Sequence, residues 1–471
     1  MGKADKIYAR LPVLGQHAAV SAFGLYWKWV RFGPGFSSLV DEYSSRDRYD
    51  QQQWADWQQN RLGEFLAGAL KSPYYAEAFS ESQKRAAAEG RLSELPLLEK
   101  QLIRDNPQRF LRKDITPRFR LLTKTSGSTG TPIENHWSWH EVREQRAVRE
   151  VRSAGWAGVS FKEPRATFSG RFVEPNPDSR GPFHRYNCFE RQVYFSAFHL
   201  RPDTAKQYGA ALHRHQTRWL TGYAVSFYLL AELILDQNLK VPDSLKAVVT
   251  TSEKVTPEMR NVMEQAFGCR VFEEYSTVEN CLFASQCEQG SLHVSPDVSV
   301  VEILRPDGSP CKPDEPGEVV TTCLMRNYQP FIRYRVGDVA AWSSQSCKCG
   351  RAMPVLKEVV GRLEDVLVGP DGRRMVRFHG VFVDQPNVRE GQVIQETLSR
   401  IRVKVVPTNS FDDADVRDIQ NRVQQRMGQV DVVVETVEEI PRTKAGKFKA
   451  VINLVLDETG QSTGATQRVA H

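Results

Sequence analysis

A run rich in Ser, Thr and Gly, placed directly after a short strand pattern, limits the possible folds of this chain more than any other segment. The run is Thr125-Ser126-Gly127-Ser128-Thr129-Gly130-Thr131-Pro132, and residues 121–124 supply the strand pattern. Because glycines let backbone amides point at an anion and hydroxyls add donors, the run predicts a phosphate-binding loop. We expect a helix over residues 139–151 to follow and to present its positive end to the phosphate. A Walker A loop ends in Gly-Lys-Ser/Thr, which this run does not, and such a run alone is also typical of a plain turn.

Strand and helix patterns alternate after this loop and predict an α/β fold with parallel strand pairs. Residues 203–237 have a helical apolar pattern, and Pro257 stands at the first position of a second helix after Thr256. Buried strands are predicted at residues 246–251 and 269–275. Short strands separated by Gly and Pro turns follow at residues 298–304, 318–323 and 338–342. A compact α+β module comes last, with strands near 374–382, 401–406 and 430–436 and a helix near 412–428.

These patterns predict a large N-terminal α/β domain over residues 1–361, with a β-rich subdomain at 290–361. A small mobile α+β domain over residues 362–457 and a disordered tail over residues 458–471 complete the expected organisation. A length of 471 residues exceeds that of one simple domain. A hydrophobic content of 40% and a charged content of 25% exclude wholesale disorder.

Charge and hydropathy argue against a nucleic-acid partner and against a transmembrane helix. A net charge of +6 is mild for this length, so we expect no nucleic-acid partner. No run of about 18 apolar residues predicts a transmembrane helix, and no export signal is recognisable, so we expect a cytoplasmic protein. The partly apolar stretch at residues 11–30 is typical of a packed amphipathic helix. Trp27, Lys28, Trp29 and Arg31 also suit contact with a membrane surface or a polysaccharide-assembly complex.

Four further motifs follow the Ser/Thr/Gly run in order. They are Tyr275-Ser276-Thr277-Val278-Glu279, Arg333-Tyr334-Arg335-Val336-Gly337-Asp338, Gly361-Arg362-Leu363-Glu364-Asp365 and Pro441-Arg442-Thr443-Lys444-Ala445-Gly446-Lys447. The ordered set resembles the adenylate-forming superfamily of acyl-CoA synthetases, peptide-synthetase adenylation domains and luciferases over roughly residues 95–452. Within this superfamily, the chain resembles the phenylacetate–CoA ligase-like branch, close to CapK-like ligases of capsule and exopolysaccharide biosynthesis. The residues that carry this closer resemblance include Leu11-Pro12-Val13, Phe195-Ser196-Ala197-Phe198-His199-Leu200, Leu220-Thr221-Gly222-Tyr223, Thr251-Ser252-Glu253 and Cys347-Lys348-Cys349-Gly350-Arg351.

This resemblance implies ATP-dependent activation of a small carboxylic acid as an acyl-adenylate, followed by transfer to a thiol. Coenzyme A is the implied thiol, and ATP and Mg²⁺ are the other implied cofactors. An amine or a carrier protein is an alternative acceptor, and a non-catalytic scaffold is a third interpretation. The retention of Lys447, Glu279 and Asp338 argues against the scaffold.

The resemblance also implies a role for each motif residue. The loop Thr125–Thr131 would hold the β- and γ-phosphates, and Glu279 would bind Mg²⁺. Tyr275 would pack on the adenine, with Thr277 beside it and Ser276 where the family usually has Gly. Asp338 would accept hydrogen bonds from the ribose hydroxyls.

The remaining implied roles belong to the domain boundary and the C-terminal module. Arg362 would reach the ribose or a phosphate, and Glu364 and Asp365 would form the hinge. Lys447 would be catalytic, bridging the α-phosphate and the substrate carboxylate. Residues 366–377 read as a hairpin around Pro370-Asp371-Gly372, unlike the usual family signature, which leaves the identity of the acceptor open.

Three Cys residues and one His residue together suit a metal-binding site. Cys287, His293, Cys347 and Cys349 offer three thiolates and one imidazole, a good tetrahedral zinc set. Plain buried or surface thiols are the alternative, and Cys281 is an alternative ligand. Related ligases with a similar arrangement imply a structural Zn²⁺.

The acyl pocket is expected within residues 165–200, 220–228 and 250–275. Its candidate residues are Phe168, Phe195, His199, Tyr223, Ser252 and Glu253. Aromatic side chains suit an aryl or apolar acid, but they are as often part of a core. His199 suits a substrate carboxylate or, equally, a structural hydrogen bond.

Overall fold

The computed structural model describes most of the chain. The described residues are 3–124, 133–171, 173–174, 176, 179–360, 367–371, 374–375, 378–382, 385, 387–440 and 450–455. The expected tail at 458–471 lies outside them. Among the described residues, no helix is long and apolar enough to cross a membrane.

Short helices form the N-terminal part of the protein. They are α1 (Lys3–Arg10), α2 (Val13–Phe32), α3 (Phe36–Arg46), α4 (Gln51–Ala69), α5 (Pro73–Ala78), α6 (Glu81–Ala88) and α7 (Lys100–Asp105). Asp50 begins α4 with a capping box, in which its side chain accepts from the amide of Gln53. Pro73 stands at the start of α5 and Ser80 caps the start of α6, so residues 51–88 form three separate helices.

A β-hairpin surrounds the predicted phosphate loop. Strand β1 (Arg120–Lys124) pairs antiparallel with β2 (Glu134–Ser138), and α8 (Trp139–Val148) follows. The helix predicted over residues 139–151 begins at Trp139 as expected, and β2 lies between it and the loop. Asn135 and Trp137 are buried on one side of β2, and the Trp137 indole donates to Thr123 at 3.1 Å. Ser138 then caps α8 through a capping box.

The largest sheet among the described residues has twelve strands, in the order β11-β12-β13-β14-β10-β9-β8-β7-β6-β3-β5-β4. The strands are β3 (Arg165–Phe168), β4 (His184–Asn187), β5 (Gln192–Phe195), β6 (Trp219–Tyr223), β7 (Ala247–Thr251), β8 (Arg270–Ser276), β9 (Phe283–Gln286), β10 (Leu292–Val294), β11 (Ser299–Leu304), β12 (Gly317–Cys323), β13 (Tyr334–Trp342) and β14 (Val355–Val360). Strands β5, β3, β6, β7 and β8 pair in parallel, and the other pairs are antiparallel. The predicted mixed α/β class is confirmed.

Three helices connect strands of the parallel part: α9 (Ala205–Arg214), α10 (Ala224–Asp236) and α11 (Pro257–Phe267). The single helix predicted over residues 203–237 is wrong, because β6 separates α9 from α10. Trp219 and Leu220 are fully buried in this strand, and a continuous apolar run does not distinguish a buried strand from a helix. Gly222, with φ of +139°, lies so close to Phe168 that a Cβ atom would contact its carbonyl oxygen.

Separate hydrophobic clusters fill the two halves of this region. One cluster joins the N-terminal helices to the antiparallel strands and includes Tyr75, Phe110 and Phe331. The other fills the space between the parallel strands and α9–α11 and includes Leu230 and Met263. Strand β8 lies where the two halves meet, since β7 pairs with it in parallel and β9 pairs with it antiparallel.

The C-terminal module has its own sheet, in the order β19-β18-β17-β20, and its own hydrophobic core. Its elements are the hairpin β15 (Leu367–Val368) and β16 (Arg374–Met375), then β17 (Val388–Thr397), β18 (Arg400–Pro407), α12 (Asp413–Met427), β19 (Asp431–Thr436) and β20 (Val451–Asn453). The predicted hairpin is confirmed. A strand over all of 374–382 is wrong, because residues 378–382 form a 3₁₀ turn whose Phe378 and Val381 enter the core. Sequence reasoning missed β17.

Candidate active site

The carboxyl ends of the parallel strands are the edge at which open α/β sheets bind ligands. Strand β8 ends there with Tyr275 and Ser276, and Thr277 follows directly. The next residues turn back to begin β9: the Asn280 amide donates to the Thr277 carbonyl at 2.9 Å, and Asn280 has φ of +48°. The Ser276 hydroxyl donates to the Leu282 carbonyl at 2.8 Å. Ser276 therefore stabilises the turn that carries Glu279.

Two motifs separated by about sixty residues meet at this edge. The Tyr275 hydroxyl donates to Asp338 Oδ2 at 2.9 Å, and both side chains are partly buried. Asp338 lies on β13, directly after Gly337, whose φ of +82° is readily adopted only by glycine. The residues predicted to contact the adenine and the ribose are therefore direct neighbours.

Glu279 lies close to this pair and is buried. Its Oε1 accepts from the Tyr334 hydroxyl at 2.8 Å, and its main-chain carbonyl accepts from Arg326 Nη1 at 2.7 Å. Among the described residues, Oε2 accepts no hydrogen bond, so the carboxylate has an oxygen to offer a cation. Burial and the charge of Glu279 raise the pKa of Tyr334 far above its usual value, which keeps the phenol protonated as the donor.

Helix α7 brings cations to the same place. Lys100 Nζ donates to the Val336 carbonyl at 2.6 Å, one residue before Gly337. Arg104 interacts electrostatically with Glu279 and Tyr334, and burial lowers its pKa below the usual value. The region around Glu279 thus contains an acidic group with nearby positive charge, an arrangement that suits a phosphate–metal complex.

A second cluster of ligand atoms lies in the antiparallel half of the sheet. The thiol and imidazole atoms of Cys287, His293, Cys347 and Cys349 all lie within 4.8 Å of one another. Cys287 Sγ is 3.6 Å from Cys347 Sγ, and Cys349 Sγ is 3.3 Å from His293 Nε2. A tetrahedral zinc ion with Zn–S bonds of about 2.3 Å separates two sulfurs by about 3.8 Å. The donor set and its spacing therefore fit a zinc ion.

The surroundings of the cluster orient these ligands. His293 Nδ1 lies 3.1 Å from the Met353 carbonyl, which directs Nε2 toward the thiols. Main-chain amides of Gln289 and Cys349 donate to the sulfurs of Cys287 and Cys347 at 3.3 Å and 3.4 Å. Burial would raise the pKa of the Cys347 thiol, but hydrogen bonds from neighbouring groups lower it to about 6, which favours a thiolate.

A cavity of about 490 Å³ lies beside this cluster, between α4 and the antiparallel strands. Trp54, Trp342 and Cys347 contribute to its wall, whereas Tyr275 and Asp338 do not. The cavity is therefore separate from the predicted nucleotide site.

Comparisons with known proteins bear on this architecture. Residues 367–454 match the CapK C-terminal domain model. The protein CapK of Staphylococcus aureus is 24% identical over 467 residues, which cover 95% of this chain and 98% of CapK. The resemblance to CapK-like adenylate-forming ligases is confirmed. A phenylacetate–coenzyme A ligase of Thermus thermophilus is 25% identical over 210 residues, or 43% of this chain and 45% of that enzyme.

Solved structures share the fold of this chain. A 2-hydroxyisobutyryl-CoA ligase in complex with 2-HIB-AMP and CoA, in its thioesterification state, superimposes with a TM-score of 0.55 at 18% identity. That match covers 87% of this chain and 91% of the ligase. The same ligase in its postadenylation state gives a TM-score of 0.51, also at 18% identity, covering 88% and 92% of the two chains.

Several predicted site residues lie outside the described residues. They are the loop residues Thr125, Ser126, Gly127, Ser128, Thr129, Gly130 and Thr131, the boundary residues Arg362, Glu364 and Asp365, and Lys447. The described ends of the loop are close together, since Lys124 Nζ lies 3.4 Å from Glu134 Oε1.

The structure places the predicted pocket residues in two different settings. Phe168 and Phe195 are fully buried, with ring centroids 5.2 Å apart, so they belong to the core and not to a pocket wall. His199 is also buried: Nδ1 lies 2.8 Å from Ser196 Oγ and Nε2 lies 2.8 Å from the Asn176 carbonyl. Both ring nitrogens thus have structural partners.

The other three pocket residues lie at the carboxyl ends of β6 and β7. The Tyr223 hydroxyl accepts from the Gly170 amide at 2.8 Å. Glu253 Oε2 accepts from the Val225 amide in the first turn of α10 at 2.9 Å, a favourable place for a carboxylate. Ser252 is exposed and has φ of +74°. These residues share the sheet edge with Tyr275.

Sequence reasoning assigned no role to Tyr334 or Arg104, which lie beside Glu279. Tyr334 stands four residues before Asp338 in the same motif. Because side chains alternate along a strand, this even spacing places both residues on the same face, and that is the signal that could have found Tyr334. Arg104 had no comparable signal, because α7 reaches the site only through the tertiary fold.

Proposed function

We propose that this chain uses ATP and Mg²⁺ to convert a carboxylic acid into an acyl-adenylate and then transfers the acyl group to a thiol, coenzyme A. The observation that carries the proposal is the contact between Tyr275 and Asp338, with buried Glu279 nearby, at the ligand-binding edge of the sheet. Likeness to coenzyme A ligases in fold and sequence supports the same reaction class.

In the first half-reaction, the substrate carboxylate attacks the α-phosphorus of ATP and pyrophosphate leaves. Asp338 would accept hydrogen bonds from the ribose hydroxyls, while Tyr275 would hold the Asp338 carboxylate and pack on the adenine. Glu279 would bind the Mg²⁺ ion that neutralises phosphate charge, with Tyr334 fixing its orientation. The loop Thr125–Thr131 would donate hydrogen bonds to the departing phosphates, and Thr277 would line the nucleotide site.

Lys447 would supply the charge that bridges the α-phosphate and the substrate carboxylate in the transition state. A thiol must then reach the carbonyl that Lys447 had faced, so the C-terminal module has to move between the half-reactions. We place the hinge at Glu364 and Asp365, with Arg362 on the body side. Described contacts between module and body include the ion pair of Arg201 Nη1 with Asp371 Oδ2 at 3.3 Å and the packing of Phe198 against the hydrophobic core of the module. Such contacts are compatible with rotation of residues from about 363 onward.

An amine or a carrier protein is the alternative acceptor. The observation that favours it is the hairpin of β15 and β16, which occupies the start of the module, where the resemblance implies contact with the thiol. Tyr223, Ser252 and Glu253 at the sheet edge are the remaining candidates for contact with the acid.

Pyrophosphate and AMP release across a panel of acids, with and without coenzyme A, tests the reaction class. The panel should include aryl acids, hydroxy acids and sugar acids, with amino sugars as alternative acceptors. Acid-dependent pyrophosphate release that needs no coenzyme A, followed by coenzyme A-dependent AMP release, is the expected result. AMP release that only an amine stimulates would select the alternative, and no pyrophosphate with any acid would contradict adenylation.

A matched pair of variants connects the activity to the site. Asp338→Asn keeps the volume of the side chain but weakens two hydrogen bonds to a charged acceptor, so kcat/KM for ATP should fall about 10²-fold. Asp307→Asn changes an exposed turn residue far from the site and should behave like the unmodified protein.

We also propose that Cys287, His293, Cys347 and Cys349 hold one structural Zn²⁺ ion, which would stabilise the fold without touching substrate. The donor set supports this assignment, since three thiolates and one imidazole complete a closed tetrahedral site. Metal analysis of folded protein that was never exposed to chelator should find one zinc per chain. Folded protein without zinc would reject the site.

A further inference from the structure

Helix α2 has an inverted distribution of polar and apolar residues. The polar side chains of Gln16, His17 and Ser21 face the protein: Arg185 Nε donates to Gln16 Oε1 at 2.7 Å, and the Tyr186 amide donates to His17 Nδ1 at 3.0 Å. The Ser21 hydroxyl donates to the Tyr186 carbonyl at 3.2 Å. These contacts attach α2 to the edge strand β4 of the large sheet.

Apolar residues of α2 face solvent. Leu14 is 83% exposed, and Phe23, Leu25, Tyr26 and Trp29 are each between 44% and 52% exposed. Leu14, Leu25 and Trp29 recur at helical spacing along one side, with Ala18 and Ala22 between them. A surface helix of a globular protein normally places its apolar residues toward the core, so this outward side needs a partner.

Two residues from other elements extend this surface. Phe119, 40% exposed, stacks on Trp139 with ring centroids 3.9 Å apart, and Trp139 contacts Trp29 at 4.5 Å. We call the resulting patch the aromatic face; its exposed residues are Leu14, Phe23, Leu25, Tyr26, Trp29 and Phe119. A contiguous apolar patch of this kind marks an interaction surface.

The charge around the aromatic face is positive. Between Asp5 and Asp41 the sequence contains no acidic residue, whereas it contains Lys6, Arg10, Lys28 and Arg31, of which Arg31 pairs with the buried Glu190. Arg118 and Arg143 lie over the rings of Phe119 and Trp29 at 5.4 Å and 5.6 Å. A partner of this face must therefore accept apolar side chains and carry negative charge.

We propose that the aromatic face docks on the surface of an anionic lipid bilayer. A helix of 20 residues is about 30 Å long and lies flat in an interface. Tyr and Trp are the residues that favour the headgroup level, and Lys and Arg attract anionic lipids. A second copy of the chain fits less well, because a symmetric dimer through this face would oppose like charges.

Docking would place the base of the β1–β2 hairpin near the lipid. Phe119 directly precedes β1 and Trp139 directly follows β2, so the aromatic face lies at the end of the hairpin where Arg120 pairs with Ser138, opposite the end where Lys124 pairs with Glu134. A membrane-bound chain would thus hold this end of the hairpin at the bilayer, where an amphiphilic acid or a lipid-anchored acceptor is available. The docking itself rests on α2 and its surroundings and does not depend on the proposed reaction.

Vesicle sedimentation tests the proposal with the 471-residue chain. The two lipid compositions are phosphatidylcholine alone and an equal mixture of phosphatidylcholine and phosphatidylglycerol. We expect the chain to sediment with the mixed vesicles, more weakly with phosphatidylcholine, and less at high salt. Leu14→Ser combined with Leu25→Ser should weaken binding roughly tenfold or more. Lys28→Gln should weaken binding to the mixed vesicles roughly fivefold.

Leu398→Ser is the matched control, because Leu398 is exposed in the turn between β17 and β18. It should bind like the unmodified chain, and unchanged circular dichroism should establish that each variant is folded. A chain that stays in the supernatant with both lipids overturns the proposal, as does a Leu14/Leu25 variant that binds normally. A concentration-dependent dimer that this variant loses, without vesicle binding, would assign the face to a second copy instead.

Discussion

Asp297 is the buried charge whose removal should destabilise the N-terminal domain most clearly. Its side chain is inaccessible to solvent and lies between two guanidinium groups. Arg152 donates to both carboxylate oxygens at 2.5 Å and 2.9 Å, and Arg46 donates to Oδ2 at 2.7 Å. Because Arg46 ends α3 and Arg152 follows α8, one carboxylate holds two helical segments against the start of β11.

The substitution Asp297→Asn keeps the shape of the side chain and removes its charge. An amide presents one oxygen and one NH₂ group, so at least one of three arginine donors would face another donor. Removing one partner of a buried ion pair costs about 3–5 kcal/mol. Glu42 and Asp47 still pair with Arg46 and Arg152, so we expect the lower end, about 3 kcal/mol.

Urea and thermal unfolding of the two proteins measure this difference. Burial would raise the pKa of Asp297, but Arg152 and Arg46 lower it below its usual value. Its stabilisation is therefore present above about pH 4 and is lost as the pH falls through the folded-state pKa, so the difference between the proteins should shrink in acid. Asp431→Asn, at an exposed strand end, is the control. An Asp297→Asn protein with an unchanged midpoint at neutral pH would refute the reasoning.

Four further predictions follow from the site and the surrounding structure. Lys447→Ala should reduce acid-dependent pyrophosphate release by about 10²–10³-fold while ATP still binds, and normal release would exclude the catalytic role. Cys347→Ser should lower both the zinc content and the yield of folded chain, because zinc binding energy in such a site is folding energy; a zinc-free, stable variant would contradict it. Burial, with smaller contributions from neighbouring His side chains, lowers the pKa of His184 from 6.5 to about 3. As the pH falls, His184 takes up a proton in the unfolded chain before it does so in the folded chain, which favours unfolding. The free energy of unfolding should therefore fall by about 2 kcal/mol between pH 6.5 and about pH 5. His184→Gln should reduce that pH dependence. Glu364→Pro should impair product formation more than pyrophosphate exchange, and equal losses would remove the support for a hinge there.

The sequence by itself determined features that depend on local chemistry. Thr256 and Pro257 begin α11 as predicted, because a hydroxyl cap and a proline without an amide suit the first turn of any helix. The buried strand at residues 247–251 and the hairpin at 367–375 followed from their own residues in the same way. The order of the motifs was enough to recognise the resemblance to adenylate-forming ligases and to nominate Tyr275, Glu279 and Asp338.

Only the tertiary structure decided which of these residues touch and which side of an element faces solvent. Leu220 belongs to a continuous apolar run, which suits either a helix or a buried strand, and the sequence prediction was a helix. Pairing with β3 and β7 makes it part of a strand. Cys287 and Cys347, 60 residues apart, come within 3.6 Å only because β10 pairs with β14. The apolar side of α2 faces outward because β4 offers hydrogen-bonding groups to Gln16, His17 and Ser21. Such choices depend on contacts between distant parts of the chain, which no local pattern contains.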